Sequence, residues 1–290
     1  MAHLHTGYVQ LDGLDVHHTY GGGGEPPVVF VHGLGSAGYM EWRFTLPVIS
    51  RRHAVYAPDL PGFGRSEKPE RGYGIPLFAQ VVERYLDRCL PAEAQPVLVG
   101  ASMGGRVVAE VALRRPERVA GLALVNALGV VRPRVNLLYS LVILPRVGEA
   151  LVRVTREVLQ RTPPSTIRRI ARRLGNGEAE RLLDDEHLAH LRELHADDGY
   201  ARAYAATVRA LSGPDSFLGS ASLLARLAAT RLRVALIWGA KDSLLPVERV
   251  RRAHLRLPSA RLTVIEGAGH SPQADRPADF NHALEEFLTG

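Results

Sequence analysis

A serine, an aspartate and a histidine stand at one kind of place in this 290-residue chain, just beyond a short apolar run. Ser102 follows "PVLVGA" and leads into "MGGRVVAEVAL", Asp242 follows "ALIWGAK", and His270 follows "LTVIEGAG". These three types can carry nucleophilic chemistry. A serine hydroxyl is a poor nucleophile until a base removes its proton, and an imidazole base needs a third group to fix its tautomer. A fourth run end, "VHGLG" at residues 31–35, stands out in the same way.

Gly100, Ser102 and Gly104 fit the pattern G-x-S-x-G. Between a strand and a helix that pattern makes a turn so tight that its central residue is forced into strained backbone geometry. The flanking glycines let strand and helix approach without side-chain collision. A serine at the tip is exposed to substrate, and the N–H groups after it, including that of Met103, lie at a helix amino end where negative charge is favoured. The competing reading is a small turn residue, a task that glycine or alanine would perform with less strain. Isolated matches to the pattern are common, and the strand-turn-helix context supplies the specificity.

The elements that must hold these residues follow from periodicity. "YVQLDGLDVHHTY" alternates around turn residues, "PVVFVHG" and "HAVYAPDLPG" are short runs ending in turns, and "PLFAQVVERYLDRCL" has helical spacing. Then come the strand "PVLVGAS", the helix "GGRVVAEVALRR" stopped near Pro116, and the strand "VAGLALVNA". Buried strands alternating with helices predict a mostly parallel sheet covered on both faces. From about Gly129 to Pro214 the rhythm stops, and apolar residues recur only at helical spacing. It resumes with "RVALIWGAKD", a helix from near Pro246, "RLTVIEGAGH" and a last helix "ADFNHALEEFLTG". The expected organisation is a core over 1–128 and 216–290 with a helical cap over 129–215. "GGGG" at 21–24 reads as a flexible turn before the third strand. In an open parallel sheet reactive groups gather beyond the carboxyl ends of the strands, where Ser102, Asp242 and His270 would lie.

From "VHGLG" through "YAPDLPGFGRSEKP", "GASMGG" and "GAKDSLLP" to "GAGHSPQADRP", the chain resembles the capped, esterase-like enzymes of the α/β-hydrolase fold. The chain order Ser, Asp, His is the one expected there. The resemblance implies an α/β fold with an eight-stranded, mostly parallel sheet. It makes Ser102 the nucleophile, His270 the general base and then acid, and Asp242 the orienting carboxylate. It places an oxyanion hole at the backbone N–H groups of Leu34 and Met103. His32 would shape the loop before Leu34, and Asp59 would belong to a structural turn. Some relatives take the acid from the end of the earlier strand, where this chain has Asn126, which cannot carry the charge. Relatives that open epoxides or displace halide resemble one another in an aspartate at the elbow. Those that cleave carbon–carbon bonds typically show tryptophan just after the histidine, whereas this chain reads "GHSPQ".

The resulting expectation is hydrolysis of a carboxylic ester of a small or medium apolar acyl group, with no cofactor and no metal. Carbon–carbon cleavage, acyl transfer or perhydrolysis on the same residues, and a slow-turnover small-molecule receptor, are the alternatives. The apolar run "NLLYSLVILP" at 136–145 is a candidate wall of an acyl pocket, through Leu138 and Leu141. "DVHH" at 15–18 offers metal ligands away from the strand ends, and His187, His190 and His195 read as solvated residues of a charged helix.

Charge adds little. The formal net charge is +6, but the basic residues, nearly all arginine, are interleaved with acids and lack the aromatics that stack on bases. Nucleic acid is therefore not an expected partner. An acidic carrier protein delivering an acyl group is a possible one. No apolar run approaches a membrane span, no leader-like start is present, and Cys89 is a single thiol in a packed helical position. These features predict a cytoplasmic protein.

Overall fold

Eight strands form one sheet in the order β1-β2-β4-β3-β5-β6-β7-β8. They are β1 (Leu4–Leu11), β2 (Leu14–Gly21), β3 (Val28–Val31), β4 (Val55–Pro58), β5 (Val97–Ala101), β6 (Gly121–Val125), β7 (Arg233–Gly239) and β8 (Arg261–Ile265). The computed structural model describes residues 3–134, 141–174, 184–213 and 220–290. β1 and β2 are antiparallel and β2 joins β4 antiparallel, while β3 to β8 pair in parallel. The hairpin turns at Asp12 and Gly13, both at positive φ, the geometry that matches strand twist in a two-residue loop.

The central strands are buried on both faces, which is why they read as continuous apolar runs. Successive side chains point to opposite sides. Val29, Val31, Leu98, Leu122, Leu124, Leu236 and Trp238 enter one core, and Val28, Phe30, Val97, Val99, Ala123, Val125 and Ile237 enter the other. Helices Ile75–Cys89 and Met103–Arg114 cover the first face through Phe78, Val82, Leu86, Val107, Val108 and Val111. On the second face Trp42 stands between Phe30 and Phe280, with ring centroids at 5.2 and 6.0 Å.

Between β6 and β7 lie helices Val147–Arg161, Pro164–Leu174, Asp185–Ala196 and Asp198–Leu211, followed by Ser220–Ala228. Asp198–Leu211 sends Tyr200, Ala201, Ala203 and Leu211 into the first core, whereas Asp185–Ala196 buries only Leu188 and Leu194. Leu138 falls outside the described residues; Leu141 is 36% exposed. Of the glycines at 21–24, Gly21 ends β2, Gly23 has open space around it, and the other two meet neighbouring backbone. Gly22 and Gly24, both at positive φ, lie against the Ser50–His53 backbone, and Ala54 N–H donates to Gly24 O at 3.1 Å.

Candidate active site

The turn from β5 to helix Met103–Arg114 holds Ser102 at φ 50° and ψ −114°. A Cβ on Gly100 would strike the Gly104 carbonyl, and one on Gly104 would strike the Val31 and His32 carbonyls, so only glycine permits this approach. Strain at a non-glycine residue survives only where the surroundings over-determine it. Here Ser102 N–H donates to Val125 O at 2.9 Å, and Ser102 O accepts from Gly105 N–H and Leu128 N–H at 3.1 and 2.9 Å.

The ends of β5, β7 and β8 bring the three expected side chains together. His270 Nε2 lies 3.0 Å from Ser102 Oγ, and His270 Nδ1 lies 2.8 Å from Asp242 Oδ2. The Asp242 side chain is wholly buried. Its Oδ1 accepts from Leu244 N–H and Leu245 N–H at 2.8 and 2.9 Å. Burial alone would raise its pKa. The bond and charge of His270, the Leu245 N–H and the Asn126 amide outweigh burial and leave it lowered, so the carboxylate stays ionised.

Asn126, whose side chain cannot ionise to serve as the acid, has a different part. Parallel pairing of β6 with β7 puts it beside Asp242, at φ 40°. Its Nδ2 donates to Asp242 Oδ2 and its Oδ1 accepts from Gly239 N–H at 3.0 Å. Its place at the end of the neighbouring strand is the signal in the sequence that could have found it.

The loop after β3 lies against the serine. A Cβ on Gly33 would sit 3.3 Å from Ser102 Cβ, so Leu34 follows directly on the contact. Met103 opens its helix, where the first N–H groups have no intrahelical acceptor. His32 is fully buried and neutral. Its Nδ1–H donates to Gly33 O at 2.7 Å, its Nε2 accepts from Leu60 N–H at 2.9 Å, and burial lowers its pKa. Asp59 accepts from Gly38 N–H at 2.6 Å and Arg65 N–H at 2.9 Å, tying the same loop to the end of β4. Burial opposes its ionisation, but the bonds from His17 and the Arg65 N–H outweigh that and leave its pKa lowered. His17 Nδ1 thus lies 2.9 Å from Asp59 Oδ2, and His18 Nδ1 lies 2.6 Å from the Tyr85 hydroxyl.

A family model described as the alpha/beta hydrolase fold matches residues 26–277. The chain belongs to the α/β hydrolase fold family. It is 31% identical over 274 residues to an uncharacterised protein of Mycobacterium tuberculosis, covering 92% of this chain and 76% of that one. It is 28% identical to the pimeloyl-[acyl-carrier protein] methyl ester esterase of Aeromonas hydrophila (91% and 95% covered). Identity is also 28% to the 2-hydroxymuconate semialdehyde hydrolase of a Pseudomonas strain (90% and 86% covered). Among solved structures, a haloalkane dehalogenase of Bradyrhizobium elkanii superposes with a TM-score of 0.81 at 21% identity, covering 99% of this chain and 97% of that one. A meta-cleavage product hydrolase of Pseudomonas fluorescens does so at 0.71 and 23%, covering 98% and 97%.

In this α/β hydrolase the histidines of helix Asp185–Ala196 are half-buried rather than fully solvated as their charged sequence context predicts. His195 Nδ1 lies 2.8 Å from Leu191 O, and its ring packs on Tyr200 at 4.7 Å. His187 and His190 face a cleft above Gly35 and Ser36, together with Met40, Glu41, Arg43 and Ser271. Burial, with Arg43 and His190 nearby, pulls the His187 pKa to about 4, and burial also lowers that of His190. Nothing in the alternation of residues 36–43 marks them as site-forming; they reach the site through the short helix Gly38–Trp42.

Proposed function

We propose that this hydrolase cleaves a carboxylic ester through an acyl-enzyme formed on Ser102. The observation that carries the reading is the unbroken chain of contacts from Ser102 Oγ through His270 to Asp242, with the serine held in strained geometry at a strand end. His270 Nε2 accepts the Ser102 proton as Oγ attacks the carbonyl carbon. The N–H groups of Leu34 and Met103 stabilise the oxyanion. Collapse breaks the ester C–O bond, and His270 passes its proton to the departing alcohol. Water then gives a proton to His270, attacks the acyl carbon and releases the acid as the proton returns to Ser102. Asp242 stays ionised throughout and stabilises the imidazolium.

Residues 129–215 act in this reading as a cap over the serine. The methyl ester esterase activity of the Aeromonas relative, which acts on an acyl-carrier-protein substrate, supports an ester and an acidic carrier protein as one form of substrate. The Pseudomonas relative supports carbon–carbon cleavage as the second reading. The cytoplasm is the proposed compartment. The single thiol, Cys89, is kept protonated by burial, and among the described residues no helix is long and apolar enough to cross a membrane.

The test is a panel of p-nitrophenyl esters of increasing acyl length beside a ring-fission dienoate, with Ser102→Ala as control. Ester turnover should fall about 10⁶-fold in the variant, the scale of loss that follows when a serine protease is stripped of its nucleophile. Faster turnover of the dienoate than of every ester would replace the proposal by the second reading. A kcat/KM for carrier-linked esters that stays flat between low and high ionic strength would remove the carrier protein.

A further inference from the structure

A cleft of about 420 Å³ opens between the helix Val247–His254 and the segment that follows β6. Its floor is apolar, made by Val130 and Val131 after β6, Leu224 of helix Ser220–Ala228, and Ala253. The rest of its lining is four arginines, Arg132, Arg249, Arg252 and Arg256. Among the described residues no carboxylate lines it, and it contains none of the reacting groups.

Spacing and a cross-link bring these charges together. Residues 249, 252 and 256 stand at i, i+3 and i+7, so they share one face of the helix and of the turn that continues it. Arg249 Nη1 donates to Arg132 O at 2.7 Å, which pins the segment carrying the fourth arginine to that face. Arg132, Arg252 and Arg256 are exposed, and their side chains form no ion pair among the described residues. Glu248, four residues before Arg252, makes none with it. Elsewhere in the core, exposed arginines do meet acids, as Arg84 meets Asp12, Arg226 meets Glu110, Arg261 meets Glu286 and Arg276 meets Asp279. A helix C-terminus favours cations, which accounts for Arg252 in the last turn. It accounts neither for Arg249, a turn earlier, nor for Arg132 on another segment. Four like charges around one cleft repel one another, and an anion entering it relieves them.

The chemistry of the occupant follows from this lining. Guanidinium forks bind phosphate oxygens bidentately, and several forks together favour a multiply charged anion over a single carboxylate. Inorganic phosphate would leave the apolar floor wet, whereas a flat apolar body covers it and can stack against a guanidinium. The volume lies in the range of small-molecule sites. We propose that this cleft binds an organic phosphate that carries at least two negative charges on an apolar or aromatic body. The inference is independent of the ester reading, since neither Ser102 nor turnover enters it.

The experiment is calorimetric titration of the full chain at low ionic strength, where the attraction is least screened. Adenosine diphosphate and naphthyl phosphate are compared with pyrophosphate and adenosine, which carry the charge or the ring alone. One or both of the organic phosphates should bind about tenfold or more tightly than either fragment. Arg252→Gln and Arg256→Gln together should weaken that binding about tenfold or more, the scale of lost charge-assisted bonds. Arg251→Gln removes the same charge from an exposed position outside the cleft and should leave affinity nearly unchanged. A second readout needs no variant: in ¹⁵N-labelled wild type the organic phosphate should shift the amide signals of residues 130–132 and 249–256 and leave those of helix Asp185–Ala196 unmoved. Binding of neither organic phosphate more tightly than the fragments, equal weakening in Arg251→Gln, unmoved signals at 130–132 and 249–256, or tighter binding of a deca-glutamate peptide than of both phosphates would overturn the inference.

Discussion

At the carboxyl ends of β5 to β8, polar groups are held by short bonds inside the protein; at helix Asp185–Ala196 they are held by ion pairs that reach water. Asp242 has two backbone donors, an amide and His270, and no exposed side-chain surface. Three ion pairs tie the helix and its flanking caps to the loops after β3 and β4, Arg43 to Asp184, Arg65 to Glu193 and Lys68 to Asp197, at 2.8 to 3.1 Å. The acid in each of these pairs is 44 to 52% exposed. Arg65–Glu193 is exposed on both sides, and a pair of that kind contributes about 0–1 kcal/mol. In the other two the base is largely buried, so removing its acid costs more. The strand ends are thus held wholly inside the protein, and the cover beside them by pairs with at least one partner in water.

The largest expected effect lies at the strand ends. Asp242→Asn keeps the shape and removes the charge that stabilises the imidazolium, so kcat should fall about 10⁴-fold near neutral pH with the fold intact, by analogy with the serine-protease case. A loss confined to melting temperature, with kcat nearly unchanged, would assign the acid's role to another residue.

A smaller effect separates the positioning residue from the reacting ones. Asn126→Ala removes a bond to a buried carboxylate, of the kind that contributes about 1.5–3 kcal/mol. It should lower kcat about 10- to 100-fold while leaving KM close to its original value. Equal changes in KM and kcat, or a change in thermal stability alone, would show that Asn126 supports the strand end without holding the acid.

The least disruptive probe is pH, which should loosen the two regions in separate windows. His187 has its folded pKa lowered from 6.5 to about 4, so its contribution is fully present above 6.5 and is lost as pH falls toward 4. Asp242 and Asp59 have folded pKa values below 3.8; their contributions are present above 3.8 and disappear only as pH falls through those lower values. Hydrogen exchange, corrected for intrinsic rates, should accelerate in helix Asp185–Ala196 between pH 6.5 and 4 while β5 to β7 remain protected. His187→Phe should flatten that response. Simultaneous loss of protection in both regions would break the distinction between them.

Much of this molecule is legible in its sequence because the signals are local. The apolar run ending in G-x-S-x-G needs only its neighbours to define a strand, a tight turn and a helix, and the glycine contacts at 100 and 104 bear out that reading. The Asp12-Gly13 hairpin and the helix Ile75–Cys89 are readable for the same reason. Asn126 is only half legible: its place at a strand end can be read, but its partner lies 116 residues away and only the β6–β7 register brings the two side chains together.

The sequence by itself determined the α/β rhythm, the place of the helical insertion, and Ser102, Asp242 and His270 as residues at strand ends. Only the tertiary structure decided what surrounds them: that Asn126 holds the acid, that Glu41 backs Gly33, and that His187 and His190 turn from water into a cleft. The reason is the range of the forces involved. Backbone propensity and periodic burial act over a few residues, but the burial that keeps an imidazole neutral depends on which distant surface covers it. For His187 that surface includes Arg43, brought from a loop more than 140 residues earlier in the chain.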